Sequence, residues 1–272
     1  NIDRYYLDVD SLINDPNIDA IYIATPPDSH KEYALKVAQA GKACCIEKPL
    51  APTHQECLTI NETFLDKNIP LFVSYYRRSL PRFQQVKTWL DENYIGKIRH
   101  VNWHLRKPAN TVDLSKEYNW RTDKNIALGG YFDDLASHGL DLFNYLLGDI
   151  ENVVGLSTNQ QNLYSAKDAI VASWIHQSGV TGSGSWNFGC SQRADKVEIL
   201  GNKGRIEFSV FDEQPIKLVT IDNSEELLID NPKNIQLYHA INIQKHLSNE
   251  GWHPSTGETA THTAWVMDNI LK

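Results

Sequence analysis

The sequence predicts an α/β chain in two parts: a parallel sheet flanked by helices, then an α+β unit built on a large, mostly antiparallel sheet. Three observations carry this expectation. Between Asp19 and Tyr76, short continuous apolar runs alternate with segments of helical spacing, which is the signature of βαβ units. Beyond about residue 150, strand-like runs recur roughly every ten residues with tight-turn residues between them, which is the pattern of hairpins. The texture changes near Pro81, so residues 1–80 are read as one domain and 81–272 as the other.

Each element follows from local chemistry. Ser11–Asn14 reads as the end of a short helix stopped near Pro16. Asp19–Ala24 is a continuous apolar run, as expected for a strand covered on both faces. Thr25-Pro26-Pro27 ends it, because proline donates no ladder hydrogen bond. Asp28 or Ser29 can cap the next helix, His30 to Ala40, whose apolar positions Tyr33, Ala34, Val37 and Ala38 keep helical spacing. Gly41 stops it. Ala43–Ile46 is a second buried strand, followed by Glu47-Lys48-Pro49. Thr53 caps a helix to about Lys67, and Leu71–Tyr76 is a third strand. Strands and helices in this order, with loops this short, require right-handed crossovers and a parallel sheet. Ligands of such sheets sit at the carboxyl ends of the strands. Both Thr25-Pro26-Pro27 and Glu47-Lys48-Pro49 lie there.

In the second part, a helix from about Pro81 to Glu92 ends at Gly96, and Lys97–Leu105 alternates as a strand. Irregular sequence runs to Asn125. Gly129-Gly130 opens a long helix through Leu147, closed by Gly148. Strands are expected at about 151–159, 168–176, 180–188, 195–200, 205–210 and 215–221. Ser178-Gly179 and Asn202-Lys203 supply hairpin turns. Two helices follow, at about 236–249 and 256–271.

Composition excludes several classes. Hydrophobic residues at 41% and charged residues at 22% are an ordinary globular balance. The net charge of −8 argues against nucleic acid as the main partner. No run approaches the ~18–20 apolar residues of a membrane helix, and Asn1–Asp10 is too polar for a signal peptide. Cys44, Cys45, Cys57 and Cys190 form no Cys-x-x-Cys pair. They are read as reduced thiols, which places the chain in the cytoplasm. The ten histidines show no metal-ligand spacing, so no metal is expected.

Three constellations bear chemistry. Asp134, His138, Asp141 and Tyr145 fall within a stripe about 60° wide on the long helix. The ordinary reading is the solvated face of an amphipathic helix. The sharper one is an acid/base stripe, in which a carboxylate one turn away stabilises the charged imidazole and fixes its orientation. Lys48, just past a buried strand, is either a plain surface lysine or a partly desolvated ammonium that polarises an oxygen. Thr25-Pro26-Pro27-Asp28-Ser29-His30 is either a tight turn or a strand-to-helix turn whose amides receive a phosphate or carboxamide.

Together and in this order, these stretches resemble the glucose–fructose oxidoreductase, inositol dehydrogenase and rhizopine catabolism (Gfo/Idh/MocA) family. The matching segments are residues 21–53, YYRRSLP at 75–81, NWR at 119–121, GGYFDDLASHGLDLFNYLLG at 129–148, VEILGNKGRIEF at 197–208, and the terminal PSTGETATHTAWVMDNIL. The resemblance implies a Rossmann-type first domain and NAD(P)-dependent oxidation or reduction of a sugar, cyclitol or related polyol. It implies that Lys48 binds the reacting oxygen, that His138 accepts and donates the proton, and that Asp134 assists. Asp141 and Arg77 would contact substrate. Thr25, Pro26, His30, Glu47, Lys48, Arg78, Trp120 and Arg121 would line the cofactor. It further implies a cis Lys48–Pro49 bond, and homodimers or homotetramers formed through the second-domain sheet.

The family's opening strand and Gly-x-Gly-x-x-Gly turn do not occur in the chain. The strand at Asp19 reads as the fourth of a full dinucleotide domain, so about 50–60 further residues of such a domain, at ~30 per βα unit, are expected to be missing in front of the sequence. The residue that selects NAD or NADP would lie there, and both cofactors stay open. Two other functions also stay open: a non-catalytic sensor that keeps the pocket, and an NAD-dependent glycoside hydrolase.

Overall fold

The computed structural model describes residues 4–272. The first unit opens with α1 (Val9–Asn14), capped by the Asp8 carboxylate, which accepts from the Ser11 N–H. β1 (Ala20–Ile23), β2 (Ala43–Ile46) and β3 (Leu71–Val73) then form a parallel sheet in the order β1-β2-β3. α2 (His30–Gln39) and α3 (His54–Asp66) are the crossovers. Every residue of β2 is buried, as a central strand of such a sheet should be. Thr53 caps α3 by accepting from the Glu56 N–H. Ser29, one of the two candidates, occupies the N-cap of α2, but its hydroxyl bonds to Thr25 Oγ1 and Pro26 O and not to a helix N–H, and a short 3₁₀ turn at Pro27–Ser29 leads in. β3 ends three residues sooner than expected, and a second 3₁₀ turn, Tyr76–Ser79, leads out of it.

The second unit contains α4 (Pro81–Asp91), β4 (Ile98–Arg106), α5 (Thr111–Ser115) and α6 (Ser137–Leu147). Then come β5 (Ile150–Thr158), β6 (Ala169–His176), β7 (Thr181–Asn187), β8 (Ala194–Gly201), β9 (Gly204–Phe208), β10 (Ile216–Thr220) and β11 (Ser224–Leu227). α7 (Leu237–Leu247) and α8 (Gly257–Leu271) follow. The strands make one eight-stranded sheet in the order β11-β10-β9-β8-β4-β7-β6-β5.

The sheet is antiparallel at every pairing except one, β4 with β7. β7 and β8 are consecutive in sequence yet do not pair. The chain between them steps across the end of β4, where the Lys107 N–H donates to Asn187 O and the Cys190 N–H donates to Lys107 O. This leaves a slot that β4, laid down earlier in the chain, fills.

Helix α6 packs on the inner face of this sheet. Trp103 of β4 meets Phe143 and Trp186 edge-on, at ring centroid distances of 5.8 and 5.6 Å. A side chain on Gly139 would collide with the Trp103 ring, so glycine is what lets helix and sheet approach. On the outer face, Val154, Leu156 and Val171 are 66%, 75% and 49% exposed.

The C-terminal segment returns to the first unit. Ser255 pairs with Val73 through both backbone and hydroxyl, Phe72 and Thr256 form a β-bridge, and Ala260 of α8 is buried in the first unit's core.

Candidate active site

The strand ends of the first sheet and the start of α6 bring the predicted residues to one seam. Lys48 leaves β2 through a cis Lys48–Pro49 bond. Its Nζ donates to Asp134 Oδ1 at 2.5 Å and to Asp134 O at 2.8 Å. The other carboxylate oxygen lies 3.6 Å from Arg121 Nε, and the Arg121 guanidinium lies over the Trp120 ring at 4.3 Å. Thr25 and Pro26 are exposed at the end of β1. A cavity of about 280 Å³ opens beside the neighbouring Pro27, with Pro49, Trp120, Arg121, Leu128, Asp134 and Met267 among its other walls.

The stripe expected on the long helix is broken. Residues Phe132–Ala136 form a π turn, and regular α6 begins only at Ser137. The wide turn changes the phase between Asp134 and His138, and such turns recur at functional sites. Asp134 points to Lys48, while His138 turns into a nest of rings. Its centroid lies 6.0 Å from that of Tyr75, 5.3 Å from Tyr76 and 5.9 Å from Phe211.

No hydrogen bond joins His138 to Asp134, and the buried Nδ1 has no partner. The expected stabilisation of a charged imidazole is therefore overturned. Burial first, then the positive charges of Lys48 and Arg77, hold its pKa well below the usual histidine value, so the ring is neutral near pH 7.

Several predicted contacts are engaged elsewhere. His30 is fully buried. Its Nε2 lies 2.8 Å from Thr25 O, and its Nδ1 lies 3.1 and 3.2 Å from Pro49 O and Leu50 O. It ties the end of β1 to the loop after Lys48 and does not line the cleft. Glu47 turns toward the sheet edge, where its Oε1 accepts from the Tyr22 hydroxyl and from Gln236 Nε2. Burial and that carboxylate push the Tyr22 phenol up to about 12.

Arg78 and Asp141 bind each other. Nε and Nη2 of Arg78 reach Oδ2 and Oδ1 of Asp141 at 2.8 Å each, and Thr263 and Pro254 complete the set. Both are buried, so neither is free for cofactor or substrate. They brace α6 instead. Arg77 stacks on Phe211 at 4.4 Å and Tyr76 at 5.2 Å, and its buried Nε lacks a partner.

Two residues at the site carried no sequence signal. Phe211 follows β9 in a stretch without motif. Asp133 reads as one more helix carboxylate, yet burial, and secondarily the charges of Asp268 and Asp134, push its pKa up to about 7.

Comparison with known proteins bears on this arrangement. A profile described as an oxidoreductase family with an NAD-binding Rossmann fold matches residues 1–75. A second, the GFO/IDH/MocA C-terminal domain, matches residues 83–207. Oxidoreductase P35 of Formosa agariphila is 32% identical over 263 residues, covering 95% of this chain and 80% of the relative.

The chain belongs to the GFO/IDH/MocA family.

Two further relatives carry names that state a reaction. Levoglucosan dehydrogenase of Pseudarthrobacter phenanthrenivorans is 31% identical over 64% of this chain and 41% of its own length. The scyllo-inositol 2-dehydrogenase (NAD(+)) of Bacillus subtilis is 27% identical over 82% of this chain and 64% of its own. A solved levoglucosan dehydrogenase, in complex with NADH and levoglucosan, superposes with a TM-score of 0.85 at 24% identity, covering 97% of this chain and 80% of that one. That likeness is one of fold: a parallel α/β sheet joined to a large mixed sheet.

Proposed function

We propose that the chain works as an NAD(P)-dependent dehydrogenase or reductase, acting on a secondary alcohol, or the matching carbonyl, of a sugar, cyclitol or related polyol. One observation carries this reading. The Lys48 ammonium is fixed by Asp134, a residue of the cavity wall, with the neutral His138 one turn further along the same helical segment.

The cavity suits a nicotinamide: its walls are largely apolar, it lies at the carboxyl ends of parallel strands, and Pro27, Pro49, Trp120 and Arg121 surround it. When bound, NAD or NADP supplies the hydride acceptor or donor. The chain's own residues handle the proton and the charge. In the oxidative direction, a ring nitrogen of His138 takes the hydroxyl proton. Lys48 Nζ donates a hydrogen bond to the oxygen as negative charge develops on it. Asp134 holds that ammonium with a carboxylate and a backbone carbonyl, so no reorganisation is needed during the reaction. Reduction uses the same groups in reverse. The names of the relatives, dehydrogenases of levoglucosan and scyllo-inositol, support the substrate class.

The remaining assignments complete the proposal. Residues 1–80 form the cofactor domain and 81–272 the substrate and assembly domain. The exposed apolar face around Val154, Leu156 and Val171 supports a homodimer or homotetramer through the large sheet. Four free thiols support a cytoplasmic location. Among the described residues, no helix is long and apolar enough to cross a membrane.

The test is spectrophotometric: NAD⁺ and NADP⁺ reduction across a panel of sugars, cyclitols and polyols, with Lys48→Ala and His138→Ala in parallel. Turnover with at least one substrate, lost in both variants, is expected. Saturable sugar binding without turnover anywhere in the panel would overturn the reading in favour of a ligand sensor.

A further inference from the structure

Arg77 is a buried cation without an anion of its own. It is 7% exposed, and burial lowers its pKa from the ordinary arginine value. Its neighbour Arg78 is matched by Asp141. Among the described residues the Arg77 guanidinium has no such match, and none of its nitrogens has a hydrogen-bond partner. Nε is sealed inside, whereas Nη1 and Nη2 reach solvent. One carboxylate, Asp195, bears on it through space, but both of that group's oxygens are taken. Oδ1 accepts from Trp103 Nε1 at 2.8 Å and Oδ2 from the Phe211 N–H at 2.6 Å. Arg82 adds like charge nearby.

Two rings hold the guanidinium in place. Its central carbon lies 4.4 Å from the Phe211 ring centre and 5.2 Å from that of Tyr76. Rings attract a cation but offer its N–H groups no lone pair. His138 leans on the same two rings, at 5.9 and 5.3 Å. Imidazole and guanidinium therefore lie within about 10 Å of each other. The His138 Nδ1 is sealed, and its Nε2 reaches solvent without a partner. One sugar-sized molecule can touch both Nε2 and the free end of Arg77.

The free end of Arg77 has donors only. Its planar fork matches a carboxylate through two parallel hydrogen bonds. A phosphate monoester carries about −1.5 to −2, more than the single charge to be matched. A neutral sugar leaves the desolvated cation without an anion, which penalises the wrong substrate as well as favouring the right one.

We propose that the polyol oxidised or reduced at His138 carries a carboxylate, as a uronic or aldonic acid does, and that Arg77 binds it through Nη1 and Nη2. This deepens the redox reading and rests on it for the position of the reacting carbon.

The test compares acids with their neutral counterparts: D-glucuronate with D-glucose, D-galacturonate with D-galactose, and glucose 6-phosphate as the other anion. Assays at pH 8 with NAD⁺ and NADP⁺ keep His138 neutral. At least one acid should exceed its neutral counterpart at least tenfold in kcat/KM. Arg77→Met should cut that preference at least tenfold, mainly through KM, and Arg77→Lys should restore part of it. A neutral sugar or the phosphate preferred over both acids overturns the proposal, as does a loss in Arg77→Met that falls equally on acid and neutral sugar. Calorimetry with both acids on the Lys48→Ala chain separates the two readings. Acid binding that weakens at least tenfold on adding Arg77→Met, with no turnover anywhere in the panel, upholds the carboxylate site and sinks the redox reading. Turnover of neutral sugars with no binding of either acid does the reverse. Should Arg77→Met fail to fold, Arg77→Lys decides, since it keeps the charge and loses the fork: acid binding as tight as with arginine then overturns the proposal.

Discussion

Lys48 and Asp134, 86 residues apart in sequence, meet across the seam between the two sheets, with Nζ 2.5 Å from Oδ1. Their side chains are 13% and 23% exposed, so the pair is only partly screened. It holds a cation against a residue of the cavity wall, Asp134, and the proposed chemistry depends on it. Lys48→Ala should lower kcat by about 10²–10³-fold, the range for losing one preorganised donor to a developing oxyanion. Asp134→Asn should lower it less, because the Asp134 carbonyl still holds Nζ. Steady-state NAD(P)H formation checks both; a Lys48→Ala enzyme within twofold of wild type would refute the assignment.

His138 gives a pH signature. Its pKa is depressed by burial and then by Lys48 and Arg77, so the neutral, proton-accepting form persists below the usual histidine range of ~6.5. Oxidative kcat/KM should therefore fall on acidification with a midpoint below that value. Arg77→Met removes one of the depressing charges and should move the midpoint upward, by up to about one unit. A midpoint that stays put in Arg77→Met counts against this electrostatic account.

Stability should also fall in acid. Burial lowers His239 to about 4 and His253 to about 3. Burial likewise lowers His138 and His176. Below the unfolded value near ~6.5 the unfolded chain binds protons that the folded chain refuses, so unfolding is favoured as pH drops. Each histidine contributes a slope of at most about 1.4 kcal/mol per pH unit, and for His239 that slope flattens near its folded value. Thermal unfolding between pH 7 and 4 should show the decline, and His239→Gln should reduce its steepness.

The buried Arg78–Asp141 pair should cost far more to break than to replace. Arg78→Met alone leaves a buried carboxylate without its main partner, and should destabilise by about 3–5 kcal/mol. Arg78→Met with Asp141→Leu should lose clearly less than the sum of the single changes. Urea denaturation of the two singles and the double measures the difference; strict additivity would mean the ions do not act as a unit.

Gly139→Ala places a methyl against the Trp103 ring and should destabilise by about 1–3 kcal/mol through overpacking. Trp103→Phe in the same chain should recover part of the loss. The denaturation midpoint reports both.

Much of the fold was legible because burial writes period and punctuation into sequence. The continuous run of β2, the Thr53 cap and the Gly179 turn each leave a local mark. The parallel pairing of β4 with β7 leaves none: it depends on which strand fills a slot, not on any residue within β4. β11, whose residues alternate between exposed and half-buried, lacks the apolar signal that marked the other strands. At the site, the chemistry-bearing residues Lys48, Asp134 and His138 could be named from motif spacing. Their relations could not. The π turn at Phe132–Ala136 has no sequence signature here, and it decides that Asp134 faces Lys48 while His138 lies among rings. Arg78 and Asp141 show the opposite limit, since two charged residues in matching motifs proved to satisfy one another.

The return of the C-terminal segment onto β3 bears on how the chain comes off the ribosome. Domains are generally made and folded in order, the N-terminal one first. Here the first sheet borrows Ser255, Thr256 and Ala260 from near the other end. Its core therefore stays open while the large sheet is being synthesised, and it closes only when the last helix emerges. During that interval the flank of β3 is an unpaired strand edge, of the kind that invites association between nascent chains.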